Sequence, residues 1–295
     1  MNYKLAVEAW LGGAQQPKHR VASMLEGLRP ALEQLRNGYQ ANTVEVPYGG
    51  KIAEAYLLAY VPPYIHQAES VLRQAVLNID LAASDELQVG LLCPGPGPEL
   101  IGLVRSLKAL KQHPKLRVTY FDIANDGWAI TRRGLLRCAD EIYPRFTSST
   151  KVDIDLRSRL GPADLAQFAD FDLVMAQNMA NEVVASQQAR QNLVNVFRAL
   201  KPGALAVLSD QRQYGAAEQL EAGLTRRLRP HFAIHHDAMP SSSRLPLCPH
   251  FSRPNHPLLD NYFFSDRDDK KLKPRVRMNV VEWIGVKRSE RRSPQ

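Results

Sequence analysis

A chain of 295 residues with 44% apolar and 23% charged side chains can bury one large core, and its balance is that of a globular protein. It has no run of 18 apolar residues, which excludes a transmembrane helix, and "MNYKLAVEAWLGGAQQPKHR" lacks the apolar core and cleavage site of a signal peptide, so a cytoplasmic protein that does not enter a membrane is expected. The net charge of +8 is concentrated: Lys270 to Gln295 hold nine Lys/Arg against two acidic residues, which leaves the rest nearly neutral and makes the C-terminal end a possible RNA contact.

Residues 1–84 carry apolar positions at helical spacing. "RVASMLEGLRPALEQLRNGY" reads as helix. "KIAEAYLLAYVPPYIHQAESVLRQAVLNI" does too, with a break at Pro62-Pro63. From Leu87 the pattern changes. Seven short apolar runs follow: "LQVGLLC", "LRVTYFD", "KVDIDL", "FDLVMAQ", "ALAVLSD", "HFAIHHD" and "NVVEWIGVKR". Amphipathic segments separate the first six, among them "PELIGLVRSLKALKQH", "GPADLAQFA" and "NEVVASQQARQNLVNVFRALKPG". Strands alternating with helices predict βαβ units and a mostly parallel sheet, buried on both faces. The expected organisation is a helical region at 1–84 and an α/β domain at 85–295, with an irregular insertion at about 239–277. Three widely separated cysteines, Cys93, Cys138 and Cys248, argue against a disulfide framework. Lys287, Arg288, Arg291 and Arg292 flank or follow the last strand and are expected to be uncommitted to the fold.

The first strand stops in "CPGPGPEL". Gly95 and Gly97 permit a tight strand-to-helix turn and close approach of a ligand, and Pro94, Pro96 and Pro98 stiffen it. Pro98 suits the first helical position, and Glu99 then faces the positive end of the helix dipole. Asp122 ends the second strand, 25 residues after Gly97. A carboxylate there is placed to accept both hydroxyls of a ribose, with Ile123 covering a purine; the plainer role of Asp122 is to cap the next segment. Gln177, Asn178 and Glu182 stand at the end of the fourth strand, where they can orient a ligand; no general base is assigned. Trp128 is expected to pack under the second helix of the α/β region. Cys248, His250 and His256 have the spacing C-x-H-x5-H, but a fourth ligand is lacking, so no metal is expected. Cys93 is read as a small residue fitting the bend rather than a reactive thiol.

Together these stretches resemble the class I S-adenosylmethionine-dependent methyltransferases. "VGLLCPGPGPEL" is similar to their glycine-rich first motif and "VTYFDI" to their acidic second-strand motif. "FDLVMAQNMANEV" is similar to the fourth strand, "NVFRALKPGALAVLSD" to the helix, turn and fifth strand, and the last two runs to the antiparallel final pair. The resemblance implies a Rossmann-like, mostly parallel seven-stranded sheet with a helical N-terminal appendage. It implies methyl transfer from S-adenosylmethionine to a small-molecule or RNA acceptor, and a cofactor site formed by Cys93, Gly95, Gly97, Glu99, Asp122, Ile123, Gln177 and Asn178. Two positions depart from the family: Leu91 stands where an acidic residue is usual, and Cys93 replaces the first glycine. "AYLLAYVPPYIHQAESVL" and "CPH" also resemble methyltransferase-like proteins associated with the mitochondrial small ribosomal subunit, whose metal-cluster cysteines are not matched here. That resemblance implies the alternative, a non-catalytic scaffold binding RNA or a ribosomal particle. A dinucleotide enzyme is disfavoured because Leu100 stands where G-x-G-x-x-G needs its third glycine.

Overall fold

The computed structural model describes residues 2–40, 48–77, 85–211, 215–236, 256–264, 278 and 280–289. All seven expected strands are present: β1 Glu86–Leu92, β2 Lys115–Asp122, β3 Phe146–Asp153, β4 Leu173–Gln177, β5 Leu205–Gln211, β6 Phe232–His236 and β7 Val280–Lys287. They form one sheet in the order β3-β2-β1-β4-β5-β7-β6. The pairs from β3 through β5 are parallel, and β7 runs antiparallel to both β5 and β6. This is the doubly wound order with one antiparallel strand inserted beside its edge, the arrangement the resemblance implies. The strand order reverses between β1 and β4, which opens a crevice at their carboxyl ends.

Helices cover both faces. On one lie α5 (Val61–Leu77), α6 (Pro98–Ala109) and α7 (Ala129–Ile142); on the other lie α10 (Gln187–Ala199) and α11 (Ala216–Leu228). Pro62 and Pro63 sit in the first turn of α5, where missing N–H groups cost nothing, and the break falls just before them. The N-terminal helices α1 (Asn2–Trp10), α2 (Lys18–Glu26), α3 (Arg29–Gln40) and α4 (Gly50–Ala59) precede α5. This region shares the core of the sheet: Val61, Ile65, Ala68 and Leu72 of α5 bury with Leu87, Val89 and Leu91 of β1 and with Ile101 and Val104 of α6. A Cβ on Gly102 would lie 2.5 Å from that of Ala68, so α5 and α6 touch almost backbone to backbone. Across the sheet Phe197 stacks on Trp283 at 5.7 Å.

Three expectations change in detail. β3 begins at Phe146 rather than Lys151, because "FTSST" is an exposed edge and carries no apolar signal. Ile154 and Leu156, read as strand, follow it and pack into the core. The helix expected after β4 is broken into α9 (Ala180–Val184) and α10, whose first turn is capped by Ser186 accepting from Ala189 N–H at 3.1 Å. "GPADLAQFA" yields only the one-turn α8 (Pro162–Ala166).

Lys287 is committed to the fold, contrary to expectation. It is 8% exposed. Its Nζ donates to Arg198 O at 2.7 Å and its ammonium lies 5.5 Å from the Phe232 ring centre, while its backbone pairs with Gly203 and Ala204. Its alkyl stem is buried at the end of β7. Most of the 239–277 insertion, with Cys248 and His250, lies outside the described residues, as do Arg291 and Arg292. A short π-helical turn, Leu259–Phe263, buries Leu259 and Phe263 against the N-terminal helices. No helix among the described residues is long and apolar enough to cross a membrane.

Candidate functional site

The turn after β1 alternates left-handed and proline residues: φ is +50° at Cys93, +57° at Gly95 and +91° at Gly97. Its amide donors are all committed. Cys93 N–H donates to Phe121 O at 2.7 Å and Gly97 N–H to Pro94 O at 3.0 Å. Gly95 N–H donates to Asp122 Oδ2 at 2.9 Å. Pro94, Pro96 and Pro98 have none to give. Such a turn cannot cradle a phosphate in the way that Gly-rich dinucleotide loops do, because those work through free backbone N–H groups.

Asp122 serves the turn and the crevice together. Its other oxygen accepts from Ala124 N–H at 2.8 Å, so the capping role is real, and each oxygen keeps a lone pair for a ligand. Burial raises its carboxyl above the usual range, against the pull of those two amides. Behind it stands Arg132 of α7, which the sequence did not single out. Its guanidinium donates to Gly95 O at 2.5 and 3.2 Å and to Asn125 Oδ1 at 2.5 Å, and lies 4.5 Å from the Tyr120 ring centre. Asn125 in turn donates to Asp122 O at 2.9 Å and Asp153 Oδ1 at 2.8 Å. One buried cation thus ties together the ends of β1, β2 and β3. The signal was present: Trp128, Arg132, Leu135 and Ala139 share one helical stripe, and an arginine within an apolar stripe needs buried partners.

At the end of β4, Gln177 Nε2 donates to Tyr64 O at 3.0 Å and Asn178 Nδ2 to Gln67 Oε1 at 3.1 Å. Gln67 continues to Ser209 Oγ at 2.8 Å, and Gln211 donates to Tyr64 OH at 2.8 Å. Asn178 holds a left-handed φ of +54°, a strained conformation for a residue with a side chain. Three buried oxygens in this region have no partner: Gln177 Oε1, Asn178 Oδ1 and Glu99 Oε2. Glu99 is only 3% exposed, and burial pushes its carboxyl up to about 8.

These groups line one cavity of about 70 Å³. Cys93, Gly95, Glu99, Asp122, Ile123, Gln177 and Asn178 all face it; Gly97 does not, lying beneath it as the N-cap of α6. Ile123 is 57% exposed beside Asp122. Burial, followed by the charge of Asp122, pushes the Cys93 thiol well up, which favours its neutral form. Four rings also line the cavity, Tyr48, Tyr56, Tyr64 and Trp128, the last seated so close to the turn that a Cβ on Gly95 would lie 3.3 Å from the indole. Trp128 is a wall residue as well as a packed one, 4.6 Å from Tyr48 and 5.1 Å from Tyr56 between ring centres. Glu182 stands at the rim. The surrounding protein and Asp122 raise its carboxyl to about 7, an effect that water screens because its side chain is exposed.

No family model matches this chain, and no curated protein does. Among solved structures, it is similar to a loganic acid methyltransferase with SAH at 12% identity and a TM-score of 0.48, over 85% of this chain and 99% of that one. The CurJ carbon methyltransferase gives 14% and 0.48, over 93% and 72%. The N-methyltransferase NodS from Bradyrhizobium japonicum WM9 gives 13% and 0.42, over 78% and 97%. At these identities and scores the fold is defined by the strand order itself.

Proposed function

We propose that the chain is an S-adenosylmethionine-dependent methyltransferase. The observation that carries this is the chemistry of the crevice at the strand switch point. It has a buried carboxylate ending β2, unpartnered carboxamide oxygens ending β4, and a turn with no amide left for phosphate. A ligand with ribose hydroxyls and N–H donors but no phosphate fits it; a dinucleotide does not. Asp122 would accept the ribose hydroxyls, Ile123 would cover the purine, and Gln177 and Asn178 would take donors from the amino-acid portion. Cys93 and Gly95 would lie along the ligand as backbone. S-adenosylmethionine, when bound, supplies an electrophilic methyl group on a sulfonium. The chain's part is to orient the two ligands and exclude water.

The test is calorimetry with S-adenosylhomocysteine on the wild type and on Asp122→Asn, which keeps the size of the side chain but leaves one of the Gly95 and Ala124 amides without its acceptor, so the fold of the variant is checked by circular dichroism. Loss of a charged partner for two hydroxyls is worth about 1.5–3 kcal/mol. The variant should therefore bind roughly ten- to a hundredfold more weakly while remaining folded. Equal affinity in the two proteins would count against the assignment of Asp122. No binding by the wild type would favour the non-catalytic scaffold instead.

A further inference from the structure

This inference rests on the methyl-transfer reading and concerns the second ligand that must enter the same cavity. Among the described residues lining it, three carry a carboxyl group, Glu99, Asp122 and Glu182, and none is Lys, Arg or His; burial holds the Glu99 proton up to about pH 8, so a bound cation would have to draw it off. The nearest buried cation, Arg132, is turned away, its donors spent on Gly95 and Asn125. Tyr56 and Trp128 line the same cavity. Glu99 has an oxygen with no hydrogen-bond partner inside the protein, although its side chain is almost wholly buried. A buried carboxyl oxygen without a donor is costly to keep. A ligand that brings N–H groups and positive charge would satisfy it, and aromatic faces attract the same charge. A ligand that brings a carboxylate or phosphate would meet three acidic side chains and no basic one in the lining; the charges of Arg132 and Arg157 reach Glu99 and Glu182 only from outside it.

We propose that the methyl acceptor is an amine-bearing small molecule, its amino group seated between Glu99 and the Tyr56–Trp128 wall, and not a carboxylic acid or a nucleic acid. Glu99, expected among the cofactor residues, is thereby assigned to the acceptor. The selectivity follows from side chains fixed on three separate elements, α4, α6 and the segment leading into α7, so it belongs to the fold and not to a loop.

The experiment uses two probes of matched shape and opposite charge, benzylamine and benzoate, titrated by calorimetry into the full chain with and without S-adenosylhomocysteine. Benzylamine should bind at least tenfold more tightly than benzoate. Glu99→Gln, which preserves volume and should fold as the wild type by circular dichroism, should reduce that preference to about threefold or less. In the same variant S-adenosylhomocysteine affinity should change less than about threefold, which separates the acceptor seat from the cofactor site. Tyr56→Leu provides a second variant and should also weaken benzylamine selectively. The proposal is overturned if neither probe binds at millimolar concentration, if benzoate binds as well as benzylamine, or if the preference survives in Glu99→Gln. Displacement of benzylamine by a structured RNA would overturn it in favour of a nucleic-acid acceptor. In the wild type, no S-adenosylhomocysteine binding together with a clear preference for benzylamine would overturn the methyl-transfer reading and support the amine seat.

Discussion

The two walls of the cavity are built on different physics. The sheet wall, from Cys93 to Gly97 with Asp122 behind it, is held by directed hydrogen bonds from every available amide of the turn and by Arg132. Such bonds have one good geometry each, and their removal leaves buried groups unpaired. The helical wall is held by rings. Tyr48, Tyr56, Tyr64 and Trp128 pack with centres 4.6 to 6.1 Å apart, at inclinations from 33° to 85°. Ring contacts are weakly directional and have several arrangements of similar energy. Where a ligand requires the cavity to change shape, the change therefore falls on the aromatic wall, and the sheet wall stays fixed.

The largest expected effect breaks the rigid wall. Gly97→Ala would place a side chain at φ +91° with its Cβ 2.5 Å from the Tyr120 ring. Both the backbone strain and the clash against a buried ring oppose it, so a loss of roughly 3 kcal/mol or more is expected from urea melts. By contrast, Tyr48→Leu removes a half-buried ring from the adaptable wall and should cost about 1 kcal/mol. Comparable losses from the two substitutions would remove the distinction between the walls.

A smaller effect is read from pH. Glu99 rises from 4.5 to about 8 and Asp210, at the end of β5, from 3.8 to about 6, both chiefly through burial. Glu99 faces Asp122 and Tyr120 from β2, Arg132 from α7 and Tyr56 from α4; the carboxylate raises it and the guanidinium lowers it. The folded chain keeps these protons over a range where the unfolded chain has released them. Stability is thus fully present below about pH 4.5 for Glu99 and is lost as pH rises toward 8. Above pH 6 the fall is shared with Glu282 and Glu182, both raised to about 7, and Glu99→Gln should remove the Glu99 share, a difference of up to a few kcal/mol by chemical denaturation at pH 6 and pH 8. Parallel curves for the two proteins would show that Glu99 is ionised in the fold.

Much of this was legible in the sequence for a physical reason. The strands of a doubly wound sheet are buried on both faces and announce themselves as apolar runs, and the turn and Asp122 follow from where such strands end. β3 was misplaced because an exposed edge has no apolar requirement. The aromatic wall was not legible: Tyr48 and Tyr56 reach the cavity only because α4 crosses the mouth of the crevice, where the carbonyl of Tyr48 passes so close to Gly127 that a Cβ there would lie 2.1 Å away. That meeting is a long-range event with no local pattern. Arg132 sat in plain view inside an apolar stripe, but its partners, Gly95 and Asn125, could be known only from the fold.

The smallest effect concerns Cys93, which belongs to the rigid wall yet departs from it. Its φ of +50° disfavours any residue with a Cβ by roughly 1–2 kcal/mol. Cys93→Gly removes that strain, but it frees the unfolded chain by about 0.5–1 kcal/mol and gives up the packing of the thiol. The terms nearly cancel, and the urea midpoint should move by no more than about 0.5 kcal/mol in equivalent stability. The binding result then decides which wall limits the cavity. If the thiol and the rings share that role, removing the sulfur should strengthen S-adenosylhomocysteine binding about three- to tenfold, because less of the aromatic wall has to be displaced. If affinity is unchanged while Tyr48→Leu strengthens it, the rings alone set the volume, and the cysteine is only a small residue that fits a bend. A loss of stability well beyond about 1 kcal/mol in Cys93→Gly would mean that the thiol's packing outweighs the strain, and the sheet wall would then owe part of its rigidity to a side chain rather than to its hydrogen bonds.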